Sequence, residues 1–291
     1  MMKTLKFTKM QGSGNDFIVF DGEHFSSIVH RPSSIVKLCD RIFGIGADGV
    51  LLLENSKKAD VRMRIFNTDG SEAQMCGNGA RCCALYVSRQ SSAISHQKKV
   101  SIETKAGILE AEVRDKNIKL KMTDPADLKL GMSLRVAGRE YEVDYLNTGV
   151  PHAVIEVGDI ERICVKDLGR RIRHHRAFFP AGTNVDFVKV ERKDHILVRT
   201  YERGVEDETL ACGTGSVACA IIATLNHSAR ALGKANASSA HKVYVKTKSR
   251  ETLIAYFKIS KYKITDVWLE GEAKIVYKGE YYPSLKHSKN L

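Results

Sequence analysis

Two segments of the chain place a cysteine directly before a glycine-containing turn: Cys76-Gly77-Asn78-Gly79-Ala80 and Cys212-Gly213-Thr214-Gly215-Ser216. Each leads into a stretch that reads as a helix, ARCCALYVSRQ after the first and SVACAIIATLNHSARALG after the second. The first N–H groups of a helix have no partners inside it, and the macrodipole adds about half a positive charge at that end. Glycine lets a ligand approach the backbone closely, so each turn suits a carboxylate or phosphate. The same field favours thiolate over thiol, which leads to the expectation of a depressed thiol pKa. Bringing a thiol from about 8.5 to about 7 takes roughly 2 kcal/mol of differential stabilisation, the upper end of what a partly buried helix terminus supplies. Two thiols and two anion cradles suit stereoinversion beside a carboxylate. One thiolate removes an α-proton from one face, the other cysteine delivers a proton as a thiol to the opposite face, and both helix ends stabilise the developing charge. One-base chemistry would need a single motif.

Other uses of the cysteines weigh less. Zinc could draw on Cys76, Cys82 or Cys83, Cys212 and Cys219, but the intervals are not the short spacing of structural zinc sites. A Cys76–Cys212 bond would be oxidative damage rather than function. Cys39, Cys82, Cys83, Cys164 and Cys219 read as packing residues. Seven cysteines, an odd number in 291 residues, argue against a disulfide framework.

The elements that must carry these turns read as many short strands and a few helices. KTLKFTKM, DFIVF, GVLLLE, ADVRMRIFN, VSIET, GILEAEVRD and NIKLKM are strands of the first half. REYEVDYLNTG, HAVIEV, TNVDFVKV, HILVRTYE, HKVYVKTK, TLIAYFKIS, YKITDVWLEG and EAKIVYKGEYY are strands of the second. Ser33-Ser34 followed by IVKLCDRIF reads as a capped helix stopped at Gly44, and ICVKDLGRRIRHH as another. TDPADLKLG reads as a linker, and SSAISHQKK and GKANASSA as loops. Two marks recur in order. Asn15-Asp16-Phe17-Ile18-Val19 is answered by Asn184-Val185-Asp186-Phe187-Val188, and the first cysteine turn by the second. The lead-ins RIFNTDGSEAQM and RTYERGVEDETLA also match in style. The chain therefore reads as two related α/β halves facing each other.

Composition bounds the rest. At 291 residues, with domains of roughly 100–200 residues, two domains are expected. Hydrophobic residues are 43% and charged residues 27%, ordinary for a globular chain. With 22 Gly and 5 Pro, collagen-like and low-complexity readings are excluded. No apolar run approaches the ~18 residues of a membrane span, and the start MMKTLKFTKMQGSGNDF carries no secretory h-region. The expected location is the reducing cytoplasm. The net charge of +12 could serve nucleic acid, yet the densest basic run, RRIRHHR from Arg170, lacks interleaved aromatics. The reading is a basic solvated exterior, with no nucleic acid and no membrane partner.

At these residues the chain resembles the diaminopimelate epimerase family, amino-acid racemases that work without pyridoxal phosphate. The matching stretches are KMQGSGNDFIVFD, FGIGADGVLLLE, RIFNTDGSEAQMCGNGARC, NTGVPHAVIEV, GTNVDFVKV, YERGVEDETLACGTGSVACA and LEGEAKIVYKGE. The resemblance implies an α/β (α+β) fold of two pseudo-symmetric domains, each a bent, mostly antiparallel sheet around a central helix, with the site between them. The halves would be 1–125 plus 272–291, carrying Cys76, and 126–271, carrying Cys212. It implies interconversion of LL- and meso-diaminopimelate, a small-molecule substrate, no metal or organic cofactor, and a homodimer to which Tyr277 contributes.

By the same resemblance Cys76 and Cys212 are the acid/base pair, and His152 and Glu202 polarise or orient the thiols. Asn15, Asn67, Asn184 and Arg203 hold the far end of the substrate, Arg203 by a bidentate fork on its carboxylate. Glu202 counts among the substrate contacts as well. Gly77, Asn78, Gly213 and Thr214 offer backbone N–H groups to the near carboxylate. Two positions depart from the family pattern. Val150 stands where Asn is frequent, which moves distal recognition toward Asn147 or Thr148, and Gly49 stands where Gln is frequent. A proline or hydroxyproline racemase of the same fold is the nearest alternative. Asn78, where those relatives carry His, and Arg203 speak against it. A nucleic-acid-binding protein that keeps the fold would have no need of either cysteine turn.

Overall fold

The computed structural model describes residues 4–22, 31–90, 97–230, 239–260 and 263–282. Alternating and apolar runs become strands: β1 (Leu5–Gly12), β2 (Asn15–Asp21), β3 (Gly49–Glu54), β4 (Val61–Asn67) and the short β5 (Glu72–Ala73). Helix α1 (Pro32–Cys39) lies between β2 and β3. Helix α2 (Gly77–Gln90) follows β5 and leads to β6 (Gln97–Thr104), β7 (Gly107–Arg114) and β8 (Asn117–Lys121). The pattern then recurs with β9 (Ala126–Val136), β10 (Arg139–Asn147), β11 (Pro151–Glu156), α3 (Val165–Arg173), β12 (Asn184–Arg192), β13 (His195–Glu202) and β14 (Asp207–Thr209). Helix α4 (Gly213–Arg230), β15 (Ser239–Lys246), β16 (Thr252–Ser260), β17 (Lys263–Glu272) and β18 (Lys274–Tyr281) complete it. No helix among the described residues is long and apolar enough to cross a membrane.

The chain divides into two compact units: unit 1, Met1–Ile118 with Ala273–Leu291, and unit 2, Lys119–Glu272. The architecture is mixed α/β and dominated by sheet, with few helices. In unit 1 the strand order is β18-β1-β2-β3-β4-β6-β7, antiparallel except at β2–β3 and β4–β6. In unit 2 it is β9-β10-β11-β12-β13-β15-β16-β17, antiparallel except at β11–β12 and β13–β15. Within unit 1, α2 packs against β1, β3, β4, β6, β7 and β18; within unit 2, α4 packs against β10, β11, β12, β13, β15 and β16. Each sheet thus curves around its own cysteine-headed helix. Helix α1 covers the opposite face in unit 1, where Ile35 and Leu38 join Ile18, Phe20, Val50, Leu52 and Phe66 in one core. Covered on both faces, β3 reads as an unbroken apolar run rather than an alternating one.

The pairing registers align the two units residue by residue. In β2–β3, Phe17 pairs with Gly49, and in β3–β4 Gly49 pairs with Asn67. In β11–β12, His152 pairs with Asn184, and in β12–β13 Val185 pairs with Tyr201. Phe17 therefore corresponds to His152, Gly49 to Asn184 and Asn67 to Glu202. This corrects one of the two repeat marks. Asn15–Val19 lies on β2 and Asn184–Val188 on β12, whose counterpart is β3, so the two are not equivalent. Any buried strand entered by a polar residue shows that pattern, whatever its place in the sheet. The cysteine turns are equivalent.

Two further expectations change. TDPADLKLG is no linker: Ala126–Val136 forms β9. Its leucines recur every second residue, and Pro125 only precedes the strand. Helix α1 begins at Pro32 and ends at Cys39, short of Gly44. There the Asp40 carboxylate accepts the N–H groups of Ile42 and Phe43 at 2.8 and 2.7 Å and turns the chain. Most of SSAISHQKK and GKANASSA, and the last three residues of the second central helix as expected, lie outside the described residues.

Candidate active site

In unit 1 the short β5 and the turn after it deliver Cys76 to the start of α2. The Ala80 N–H closes the first helical bond on the Cys76 carbonyl at 2.8 Å. The Gly79 N–H points at the Cys76 sulfur at 3.5 Å. The thiol is half-buried and lies 3.9 Å from Asn15 Oδ1, its hydrogen-bond acceptor. The Asn78 amide donates to the same oxygen at 3.4 Å, and Asn15 donates to Asp48 at 2.9 Å. Arg41 holds Asp48 at 2.7 Å and Asp16 at 2.8 Å. Behind Asn78 the guanidinium of Arg81, wholly buried, donates to Asn78 Oδ1 at 2.7 Å and to Ser13 Oγ at 2.8 Å. Asn67 is exposed and donates to Ser71 at 3.0 Å.

In unit 2 the Ser216 N–H closes on the Cys212 carbonyl at 2.9 Å. Cys212 is buried, and its sulfur lies 3.4 Å from the Thr214 hydroxyl. That hydroxyl is 2.9 Å from His152 Nε2, and His152 Nδ1 is 2.7 Å from Asp186 Oδ2. The Thr200 hydroxyl donates to the other Asp186 oxygen at 2.7 Å. His152 and Asp186 are both completely buried. A depressed thiol pKa is not found at Cys212. Burial pushes it well above the usual value, and the Glu202 and Asp186 carboxylates push the same way against the Thr214 hydroxyl and the Gly215 N–H. Burial also raises the Glu202 carboxyl.

The two glycines of each turn differ in role. A Cβ at Gly77 would meet nothing within 4 Å, which leaves that backbone open to a ligand. Gly79 and Gly215 instead face the sheet. A Cβ at Gly79 would meet Leu51 at 3.1 Å, and one at Gly215 would meet Asp186 Oδ1 at 2.3 Å. Gly213 is intermediate, 3.0 Å from Leu269.

The residues expected at the far end of a substrate are mostly engaged by the fold. Asn184 donates to the Pro151 carbonyl at 3.2 Å and accepts the Arg203 N–H at 2.7 Å, so it clamps the backbone that carries Arg203. The Arg203 guanidinium reaches the Ala181 carbonyl at 3.0 Å. The Thr148 hydroxyl is spent on the Thr214 carbonyl at 3.0 Å, and Asn147 caps the Gly149 N–H at 3.1 Å. Gly49 admits no side chain without movement, since a Cβ would stand 2.8 Å from the Phe66 carbonyl. Among the described residues, no group of three or more His, Cys, Asp or Glu side chains is placed to hold a metal ion.

Asp186, Thr200 and Arg81 did not emerge from the sequence reading. A lone acid in the apolar run NVDFVKV was the available signal for the first. A third shared feature was also missed. Arg64 grips Glu72 at 2.9 and 3.0 Å with Lys105 at 2.8 Å, and Arg199 grips Glu208 at 2.7 and 3.0 Å with Lys248 at 2.7 Å. Aligning the two halves on their cysteines, rather than on the strand marks, nearly superimposes these arginines and glutamates.

A family model described as diaminopimelate epimerase matches residues 7–129 and 145–258. A diaminopimelate epimerase of Caldanaerobacter subterraneus subsp. tengcongensis is 40% identical over 296 residues, covering 95% of this chain and 99% of the relative. One from Aquifex aeolicus is 41% identical over 286 residues, covering 94% and 97%. A solved structure of a Bacillus anthracis phenazine biosynthesis protein of the PhzF family shares the fold, with a TM-score of 0.66 at 17% identity, over 96% of this chain and 99% of that one.

Proposed function

Since the chain belongs to the diaminopimelate epimerase family, we propose that it interconverts LL- and meso-2,6-diaminopimelate, on the route to lysine and cell-wall peptide. One thiol of the pair Cys76 and Cys212 takes the α-proton as thiolate, and the other returns a proton to the opposite face. The reading uses no metal and no organic cofactor. The observation that carries it is the duplicated helix start: in both units the N–H of the second glycine turns toward the cysteine sulfur, Gly79 to Cys76 and Gly215 to Cys212. The N–H groups of Gly77, Asn78, Gly213 and Thr214 receive the carboxylate next to the reacting carbon, where charge builds up in the transition state. Arg203, held by Asn184, takes the distal carboxylate. Asn15, Asn67 and Glu202 complete the polar contacts. His152 and Glu202 set the state of the thiols. The same reading places the enzyme in the cytoplasm as a homodimer, with half-exposed Tyr277 at the contact.

The test is incubation of the reduced protein with LL-diaminopimelate in D2O. The expected product is the meso isomer carrying one deuterium at the inverted α-carbon, seen by NMR. Inversion without deuterium uptake, or no inversion, would overturn the reading.

A further inference from the structure

We infer that Glu72 and Glu208, each four residues ahead of its cysteine, are positioning residues that pin the segments carrying Cys76 and Cys212. This deepens the two-thiol reading and rests on it.

The pins sit at a seam in each sheet. Strand β4 pairs with β6 at Val61 and Arg62, and with β5 at Ile65 and Phe66. Strand β13 pairs with β15 from His195 to Leu197, and with β14 from Thr200 to Glu202. Arg64 and Arg199 stand where the neighbour changes. Glu72 lies opposite Phe66, and Glu208 opposite Tyr201. The arginines, two residues back on the same face, are diagonal neighbours of these glutamates, within reach of long side chains. Each makes a two-pronged grip, Arg64 on Glu72 at 2.9 and 3.0 Å and Arg199 on Glu208 at 2.7 and 3.0 Å. A third arm comes from the turn beyond the neighbouring strand. Lys105, between β6 and β7, reaches Glu72 at 2.8 Å, and Lys248, between β15 and β16, reaches Glu208 at 2.7 Å. One carboxylate thus ties three pieces of backbone together.

The short strand is what needs tying. Strand β5 has two residues and β14 three, so few ladder bonds hold them. Only two residues then precede each cysteine, Gln74-Met75 and Leu210-Ala211. Slack at the strand passes to the sulfur, and a displacement of about 1 Å at a reacting group can cost about 10²-fold in rate. In unit 2 the same turn also holds this connector directly, the Ser249 N–H donating to the Leu210 carbonyl at 2.9 Å. Stability does not account for the recurrence. The Glu72 and Glu208 side chains are only 16% and 11% exposed, and exchanging an ion pair that dry for apolar residues is often neutral or stabilising. The units differ in the side chains beneath the helix start, yet each has all three members of the pin.

The test is alkylation of the full, reduced chain by iodoacetamide at neutral pH. The rate at each cysteine is read by peptide mass spectrometry, with exposed Cys164 as the internal reference. The variants are Glu72→Gln and Lys105→Met in unit 1, and Glu208→Gln and Lys248→Met in unit 2. Losing one hydrogen bond to a charged group eases local opening by about tenfold. Both unit 1 variants should therefore speed alkylation of Cys76 by up to that factor and leave Cys212 unchanged, and both unit 2 variants the reverse. The glutamate and lysine of each pin carry opposite charges. A merely electrostatic influence would move the cysteine in opposite directions in the two variants of a unit. A merely structural role would leave both thiols unchanged in the folded protein. Either result overturns the inference, as does an equal change at both cysteines. Turnover of diaminopimelate, well below the melting temperature, should fall about tenfold in Glu72→Gln and in Glu208→Gln; normal turnover in either also overturns it. If one of these two does not fold, the lysine variant of that unit decides by sign, since a lost cation slows its cysteine and a lost hold speeds it. Failure of the functional reading has a separate readout, absent turnover of diaminopimelate by the unmodified protein.

Discussion

Under the second glycine of each cysteine turn the two units place different atoms. In unit 1 the floor is Leu51 and Ile65; in unit 2 it is the Asp186 carboxylate, braced by His152 and Thr200. The strands, registers and helix start are shared, yet the surroundings of the two sulfurs are opposite in character. An apolar floor needs no partners, whereas a buried carboxylate must be hydrogen-bonded or it destabilises the fold. The duplicated frame thus fixes where each sulfur sits in its own unit, and a few exchanged side chains decide what surrounds it.

The comparison can be broken most severely at the sulfurs themselves. Cys76→Ala and Cys212→Ala should each slow epimerisation by about 10³-fold, the usual scale of a lost general acid or base. An assay in which either variant keeps near-normal turnover would end the two-base scheme. Next comes a transplant. His152→Phe gives unit 2 the residue of unit 1 and strands Asp186, costing about 3 kcal/mol in urea unfolding. Adding Asp186→Leu should recover most of that loss, because the pair then matches the apolar floor of Leu51; a double variant no better than the single one would contradict the equivalence. Smaller effects are expected at the glycines. Gly215→Ala drives a methyl against the Asp186 carboxylate and should cost about 2–3 kcal/mol, while Gly79→Ala meets the side-chain tips of Leu51 at 3.1 Å and Ile65 at 3.4 Å and should cost about 1 kcal/mol.

The smallest effect concerns what the units share. Arg64 and Lys105 hold the Glu72 carboxyl at about 2, below its usual 4.5, against the opposing effect of burial. Burial works against Glu208 too, but Arg199 and Lys248 prevail and lower it. A depressed acid contributes stability in full above its unfolded pKa. For Glu72 that contribution is whole above about 4.5 and disappears as the pH falls toward 2. Unfolding free energies of the unmodified protein and of Glu72→Gln should therefore converge as the medium is acidified. A gap between them that stays constant through that range would refute the assignment.

What could be read before folding was local. The cysteine turns and their helices were legible because a helix start needs only neighbouring residues, and most strands because burial imposes a short period. Leu128, Leu130, Met132 and Leu134 carried that period too, but Pro125 and the aspartates masked it. The end of α1 was missed because one carboxylate, Asp40, captures two N–H groups that the apolar residues Ile42 and Phe43 seemed to offer to a helix. The strand repeat was misaligned because β2 and β12 obey the same burial pattern.

Order along the chain settled the two thiols, the two helix starts and the family's motifs, since each is a run of contiguous residues. Only the folded chain decided what stands behind each sulfur. Asp186 meets a histidine 34 residues away and Arg81 a serine 68 residues away. Such pairs come into contact only when strand register and helix packing are set, because the partners are brought together by elements far apart along the chain.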